Sequence, residues 1–247
     1  MPPNLVLLHG FTQTRQSWRR TVQALQGRYR ALVPDLPGHG QAALRTASFD
    51  ACAAYVRALA PRLTLCGYSM GGRIALHTAL ELGPAVVTRL VLVGASPGLA
   101  DPEQRAARRR ADDALADRLE GMEIEAFARE WGSQPLFAGQ PERVAAAAHA
   151  DRLRNTPAGL AAALRGLGTG VMEPLWGRLG ELTTPVTLVV GERDEKFRAT
   201  AEAMLARLPN AELVLVAGAG HAAQLEDPGA VARAVYQSGS SSSSASA

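Results

Sequence analysis

Leu63-Thr64-Leu65-Cys66-Gly67-Tyr68-Ser69-Met70-Gly71-Gly72-Arg73-Ile74-Ala75-Leu76 is the stretch whose reading decides the fold. An apolar run breaks at Gly67 and resumes with helical spacing after Gly72, so a Gly-x-Ser-x-Gly pattern falls between a predicted strand and a predicted helix. That junction forces a tight turn in which Ser69 takes strained backbone angles and the glycines leave the room that a Cβ would fill. The hydroxyl is then thrust out at the carboxyl edge of a sheet. In a chain with 24 glycines the bare pattern carries little weight. Its context, a strand before and a helix after, with an Asp and a His at later strand ends, carries much more.

Outward from this turn the chain alternates strands and helices. Residues 4–8 form a continuous apolar run ending in His9-Gly10-Phe11, which suits a strand buried on both faces. A helix is predicted over 17–26, a strand over 31–33, a Pro/Gly turn at Asp35-Leu36-Pro37-Gly38-His39-Gly40, and a helix over 49–60. Beyond the elbow helix, 89–93 reads as a strand closing at Gly94. From Pro97 to about Gly180 the pattern is helical only, with segments at 103–119, 125–131, 143–154 and 159–167. Strands return at 185–190 and 213–216, with helices at 197–208 and 228–236. This order implies an α/β fold of mostly parallel, doubly wound sheet, with residues 1–97 and 181–237 as its core. Residues 98–180 form a helical lid insertion, placed to roof the strand ends where ligands bind. Residues 238–247 are almost wholly Ser, Gly and Ala, a composition that cannot bury enough apolar surface to order itself.

Composition narrows the classes. At 247 residues, 47% hydrophobic and 20% charged, the chain suits one large globular domain, and no apolar run approaches the ~20 residues of a membrane span. There is no basic leader before residue 4, so a cytoplasmic location is expected. The net charge of +3 is spread along the chain without aromatic interleaving, which argues against nucleic acid. Cys52 and Cys66 fall on a helix and a buried strand with no metal-ligand spacing, and read as core residues. No metal or cofactor is expected, and the chain is expected to be a monomer or small homo-oligomer.

A serine hydroxyl is a poor nucleophile and base at neutral pH, so it needs a histidine to take its proton and a carboxylate to orient that histidine. Asp194 and His221 each follow a predicted strand on the edge where Ser69 emerges, and the order Ser, Asp, His is that of the α/β-hydrolase fold. Glu192 and Asp227 are the competing acids. His9 and His39 sit in glycine turns, His77 in the elbow helix and His149 on the lid, which leaves His221 as the base. The oxyanion hole should use the backbone N–H of Met70, the residue after the nucleophile, and that of Phe11 in the loop after the first strand.

Further stretches carry a narrower signal: Pro97-Gly98-Leu99 followed by Glu103-Gln104-Arg105-Ala106-Ala107-Arg108, Trp131 with Gln134-Pro135-Leu136-Phe137, and Gly191-Glu192-Arg193-Asp194-Glu195-Lys196-Phe197-Arg198. With the elbow they make the chain resemble the 2-succinyl-6-hydroxy-2,4-cyclohexadiene-1-carboxylate synthase family of the α/β-hydrolase superfamily. The resemblance implies a lyase of menaquinone biosynthesis without a cofactor. In that family the serine, backed by His and Asp, removes the proton next to the succinyl ketone of 2-succinyl-5-enolpyruvyl-6-hydroxy-3-cyclohexene-1-carboxylate, and pyruvate leaves. It also implies that Arg73, Arg108 and Arg154 bind the carboxylates of this small polycarboxylate, and that Tyr68 and Trp131 line the pocket. The chain departs from the family in lacking most of an N-terminal hairpin before the first strand, and in a lid richer in Ala. A serine carboxylesterase or C–C bond hydrolase with the same triad is the alternative, and a catalytically silent binding protein on this fold a third reading.

Overall fold

The computed structural model describes residues 1–236; the low-complexity stretch expected at 238–247 lies outside the described residues. The chain opens with β1 (Asn4–Leu8), a 3-10 turn and α1 (Arg19–Ala24), then β2 (Arg30–Leu32), α2 (Phe49–Leu59), β3 (Leu63–Tyr68), α3 (Met70–Leu82) and β4 (Val87–Val93). After a long helical passage it returns to β5 (Val186–Gly191), which pairs beside β4. Six parallel strands make one sheet in the order β2-β1-β3-β4-β5 and then the last strand, Ala211–Val216, which is β6.

Strand alternation decides what each face buries. Leu5 and Leu7 point to one side with Cys66, Val91, Val93 and Val189, where they meet Trp18 and, from the closing helix, Val231 and Val235. Val6 and Leu8 point to the other with Leu65, Leu90, Leu92 and Leu188, against Cys52, Val56, Ile74 and Met204 of the helices on that face. Both cysteines are free and buried, and burial pushes the Cys52 thiol up to about 12. β4 begins two residues before the expected 89, because Val87 pairs with Leu63 across a register irregularity at Leu63/Thr64.

Between β4 and β5 the chain forms α4 (Pro102–Glu120), α5 (Ile124–Gly132), α6 (Glu142–Arg152) and α7 (Pro157–Leu167). Their starts are written in the sequence: Asp101 accepts from the Gln104 N–H at 2.7 Å with Pro102 following, and Thr156 accepts from the Gly159 N–H at 3.2 Å with Pro157 following. The insertion has its own small core of Ala116, Leu119, Phe127, Leu160, Ala161 and Leu164. After β5 come α8 (Glu195–Leu205), β6, the short α9 (Ala223–Glu226), which has no signal in the sequence pattern, and α10 (Pro228–Tyr236). No helix among the described residues is long and apolar enough to cross a membrane.

Candidate active site

Ser69 stands between β3 and α3 with φ 50° and ψ −109°, a conformation that L-residues avoid. The turn closes because Gly67 and Gly71 let their backbones meet: a Cβ on Gly67 would collide with the Gly71 carbonyl, and one on Gly71 with the carbonyls of Leu8 and His9. The Ser69 Oγ lies 3.2 Å from His221 Nε2, and His221 Nδ1 lies 2.7 Å from Asp194 Oδ2. Asp194 ends the turn after β5 and caps α8, its Oδ1 accepting from the Phe197 N–H at 3.4 Å. One carboxylate thus fixes the imidazole and rests on the positive end of a helix. The competing acids serve elsewhere: Glu192 accepts from the Gly218 N–H, and Asp227 from the Ala230 N–H at the start of α10. His221 is packed between the rings of Phe197, centroids 4.5 Å apart, and Tyr68, 5.3 Å apart.

Two other histidines are structural. His9 and His39 are fully buried, their rings edge-on at 5.0 Å. Each pairs Nδ1 with a carbonyl, Gly10 or Pro37, and accepts a backbone N–H at Nε2, from Leu36 or Thr12. That pattern fits the neutral ring with its proton on Nδ1, and burial lowers His9 to about 4 and His39 to about 3.

Ser69 and His221 open into a cleft of about 170 Å³ roofed by the insertion. Phe11 and Met70 line it beside Ser69, and Met70 opens α3, where a first-turn N–H has no intrahelical acceptor. Trp131 lines it from α5, its ring edge-on to Phe11 at 5.0 Å and its buried indole N–H without an acceptor. Two arginines converge there. Arg73, one turn into α3, donates to the Leu167 carbonyl at 2.8 Å, and Arg108 from α4 donates to Asp112 at 2.7 Å. Burial, with Arg108 nearby, lowers Arg73 to about 10, so it stays a cation at neutral pH. Lys196, unremarked among the sequence candidates, lines the same cleft.

Two expected pocket residues fall elsewhere. Arg154 follows the end of α6, is half-exposed, pairs with Asp151 at 3.8 Å and lines a separate shallow cleft with Thr14, Asp35 and Gln41. Tyr68 is buried behind the triad against His221 rather than lining the cleft, and burial, with the charges of Asp194 and Glu226, pushes its phenol up. The buried arginine of this region is Arg152, only 5% exposed. Its guanidinium lies 5.3 Å from the Phe137 ring, its Nε has no partner, and no carboxylate stands within ion-pair distance among the described residues. The signal was available: Val144, Ala148 and Arg152 recur every four residues, which puts them on one buried stripe of α6.

The pattern of the alpha/beta hydrolase family matches residues 5–234. The 2-succinyl-6-hydroxy-2,4-cyclohexadiene-1-carboxylate synthase of Escherichia coli O7:K1 (strain IAI39 / ExPEC) is 35% identical, covering 95% of this chain and 93% of that protein. Among solved structures, MenH from S. aureus superposes with a TM-score of 0.87 at 34% identity, covering 93% of this chain and 90% of that one. A malate-bound thermophilic esterase from Thermogutta terrifontis follows at TM-score 0.79 and 27% identity, covering 95% and 89%.

Proposed function

The chain belongs to the alpha/beta hydrolase family, and from that premise we propose that it is a 2-succinyl-6-hydroxy-2,4-cyclohexadiene-1-carboxylate synthase, a lyase of menaquinone biosynthesis. In this reading residues 98–180 act as a lid over a cytoplasmic, dissolved polycarboxylate. His221 Nε2 takes the Ser69 proton, and the serine oxygen removes the ring proton next to the succinyl ketone. Asp194 holds His221 in the tautomer that accepts this proton and stabilises the resulting imidazolium. Enolate charge grows on the ketone oxygen, where the N–H groups of Phe11 and Met70 receive it. The electron pair then forms a new ring double bond at the deprotonated carbon, the existing ring double bond shifts by one position, and the C–O bond to the enolpyruvyl group breaks. The proton taken from the ring is returned, and the departing enol becomes pyruvate, so the reaction consumes no water.

The observation that carries the reading is the pair Arg73 and Arg108 facing the same cleft as Ser69. A neutral ester has no use for guanidinium groups in a half-closed cleft, whereas carboxylates form charge-assisted, planar contacts with them. Arg152, buried without an ion-pair partner among the described residues, adds a third positive charge beside Phe137, whose ring lies 6.5 Å from that of His221. The test is to offer the purified protein the succinyl-enolpyruvyl-cyclohexene precursor and follow pyruvate with lactate dehydrogenase. Catalytic release supports the lyase; no release, with efficient turnover of neutral esters, supports the esterase reading instead.

A further inference from the structure

The loop that carries Phe11 is a turn that its own sequence does not favour. Gln13 N–H donates to the Gly10 carbonyl at 3.2 Å, closing a tight turn with Phe11 and Thr12 in the middle, and Thr12 has φ 68°. A positive φ at the third turn position is the type II arrangement, which calls for Gly or Asn, and a β-branched residue resists it. Something outside the turn must hold Thr12 there.

Two side chains do. The Thr12 N–H donates to His39 Nε2 at 3.3 Å, and the Thr12 carbonyl accepts from Asn155 Nδ2 at 2.8 Å. Asn155 lies between α6 and α7, in the insertion, and is itself buried. Its Oδ1 accepts from the Gly40 N–H at 3.0 Å, and Nδ2 also donates to the Arg152 carbonyl at 3.1 Å. Two residues along, Thr14 donates through both N–H and hydroxyl to Asp151 of the same segment. Of these contacts only the one from Asn155 joins the insertion to the strained residue beside Phe11.

We propose that Asn155 is a positioning residue that couples the lid to the oxyanion hole: by gripping the Thr12 carbonyl it keeps the turn in its disfavoured form and the Phe11 N–H aimed at the reacting oxygen. The inference rests on the assignment of Phe11 as an oxyanion donor in the reading above. The Thr12 carbonyl and the Gln13 N–H belong to one peptide and the Gly10 carbonyl and the Phe11 N–H to another, so the grip on the first passes through the 3.2 Å Gln13–Gly10 bond to the donor. Without the grip Thr12 relaxes toward negative φ, that bond loosens and the donor moves. Displacing a donor costs less than the 10²- to 10³-fold of deleting one, so the expected loss is about 10- to 100-fold in kcat.

The experiment compares wild type, N155A, T12G and N155A/T12G in pyruvate release and in binding of phenylboronic acid. The boronic acid accepts the Ser69 oxygen on boron while the serine proton passes to His221, giving a tetrahedral anion whose oxygen needs the same hole. N155A should lose about 10- to 100-fold in kcat with KM within about twofold, and should bind phenylboronic acid more weakly by a similar factor. Glycine adopts the positive φ unaided, so N155A/T12G should recover most of both losses. N155S, which retains a donor, should fall between wild type and N155A and serves if N155A does not fold. An unchanged kcat, a kcat loss without weaker boronate binding, or a double variant no better than N155A would each overturn the proposal, since a role in lid packing alone predicts no rescue by glycine at 12. If the wild type releases no pyruvate, the lyase reading fails, while the boronate series still decides this one.

Discussion

The carboxyl edge of the sheet and the helical insertion above it are built on different principles. The edge is rigid because Ser69 and Asp194 follow the fully buried parallel strands β3 and β5, with His221 after the half-buried outer strand β6. The insertion has a small core and holds itself with exposed ion pairs such as Arg165 with Asp117 and Glu120, and Arg118 with Glu130. Exposed pairs of this kind each stabilise little. The difference teaches a division of labour in the proposed reaction: the edge supplies proton transfer, and the cleft's cations, Arg73 of the core helix α3 and Arg108 of the insertion, choose what is transferred.

Breaking the edge should cost most. Ser69→Ala should lower pyruvate release by ~10³-fold or more while substrate binding, read by calorimetry, stays within a few-fold. Near-normal turnover would take serine out of the mechanism. The edge also has an acid limit. His9 and His39 lie folded at about 4 and about 3 against 6.5 unfolded, so below pH 6.5 the unfolded chain binds protons that the fold cannot. Stability is full above pH 6.5 and falls as pH drops toward 4, with His9 alone contributing on the order of 3 kcal/mol over its whole window. Urea unfolding at pH 7 and pH 5 measures it, and equal midpoints would contradict the neutral, buried pair.

Breaking the cleft's cations should cost less and cost it selectively. Arg73→Ala should lose roughly 10- to 150-fold in kcat/KM on the polycarboxylate, the worth of one charge-assisted contact of ~1.5–3 kcal/mol. The smallest pair of effects sharpens the assignment at the end of α6: Arg152→Met should lose about tenfold on the polycarboxylate, and Arg154→Ala less than about twofold. The reverse ranking would restore Arg154 to the pocket.

That last pair marks where the sequence stops speaking. Strand residues announce themselves by apolar runs, and the elbow by glycines that the crossing backbones require, so β1 lies at its expected residues and Ser69 at its expected turn. The acid was open among Asp194, Glu192 and Asp227, because all three follow secondary-structure ends, and only the 2.7 Å contact to His221 separates them. In the insertion the helices lie near their expected spans, yet the helix expected over 143–154 ends at Arg152. Arg152 therefore goes inward on the stripe of Val144 and Ala148, while Arg154 lies past the helix end and faces out. The Asn155 contact to Thr12 joins residues 143 apart in sequence and leaves no local pattern at all.

The most direct test of the division of labour is the ratio of kcat/KM on the polycarboxylate to kcat/KM on p-nitrophenyl acetate, measured for wild type and Arg108→Ala with melting temperatures alongside, since the substitution also strips Asp112 of its 2.7 Å partner. The ratio should fall about 10- to 150-fold because only the polycarboxylate suffers. A ratio that stays at the wild-type value, whether both activities fall together or neither moves, would contradict it.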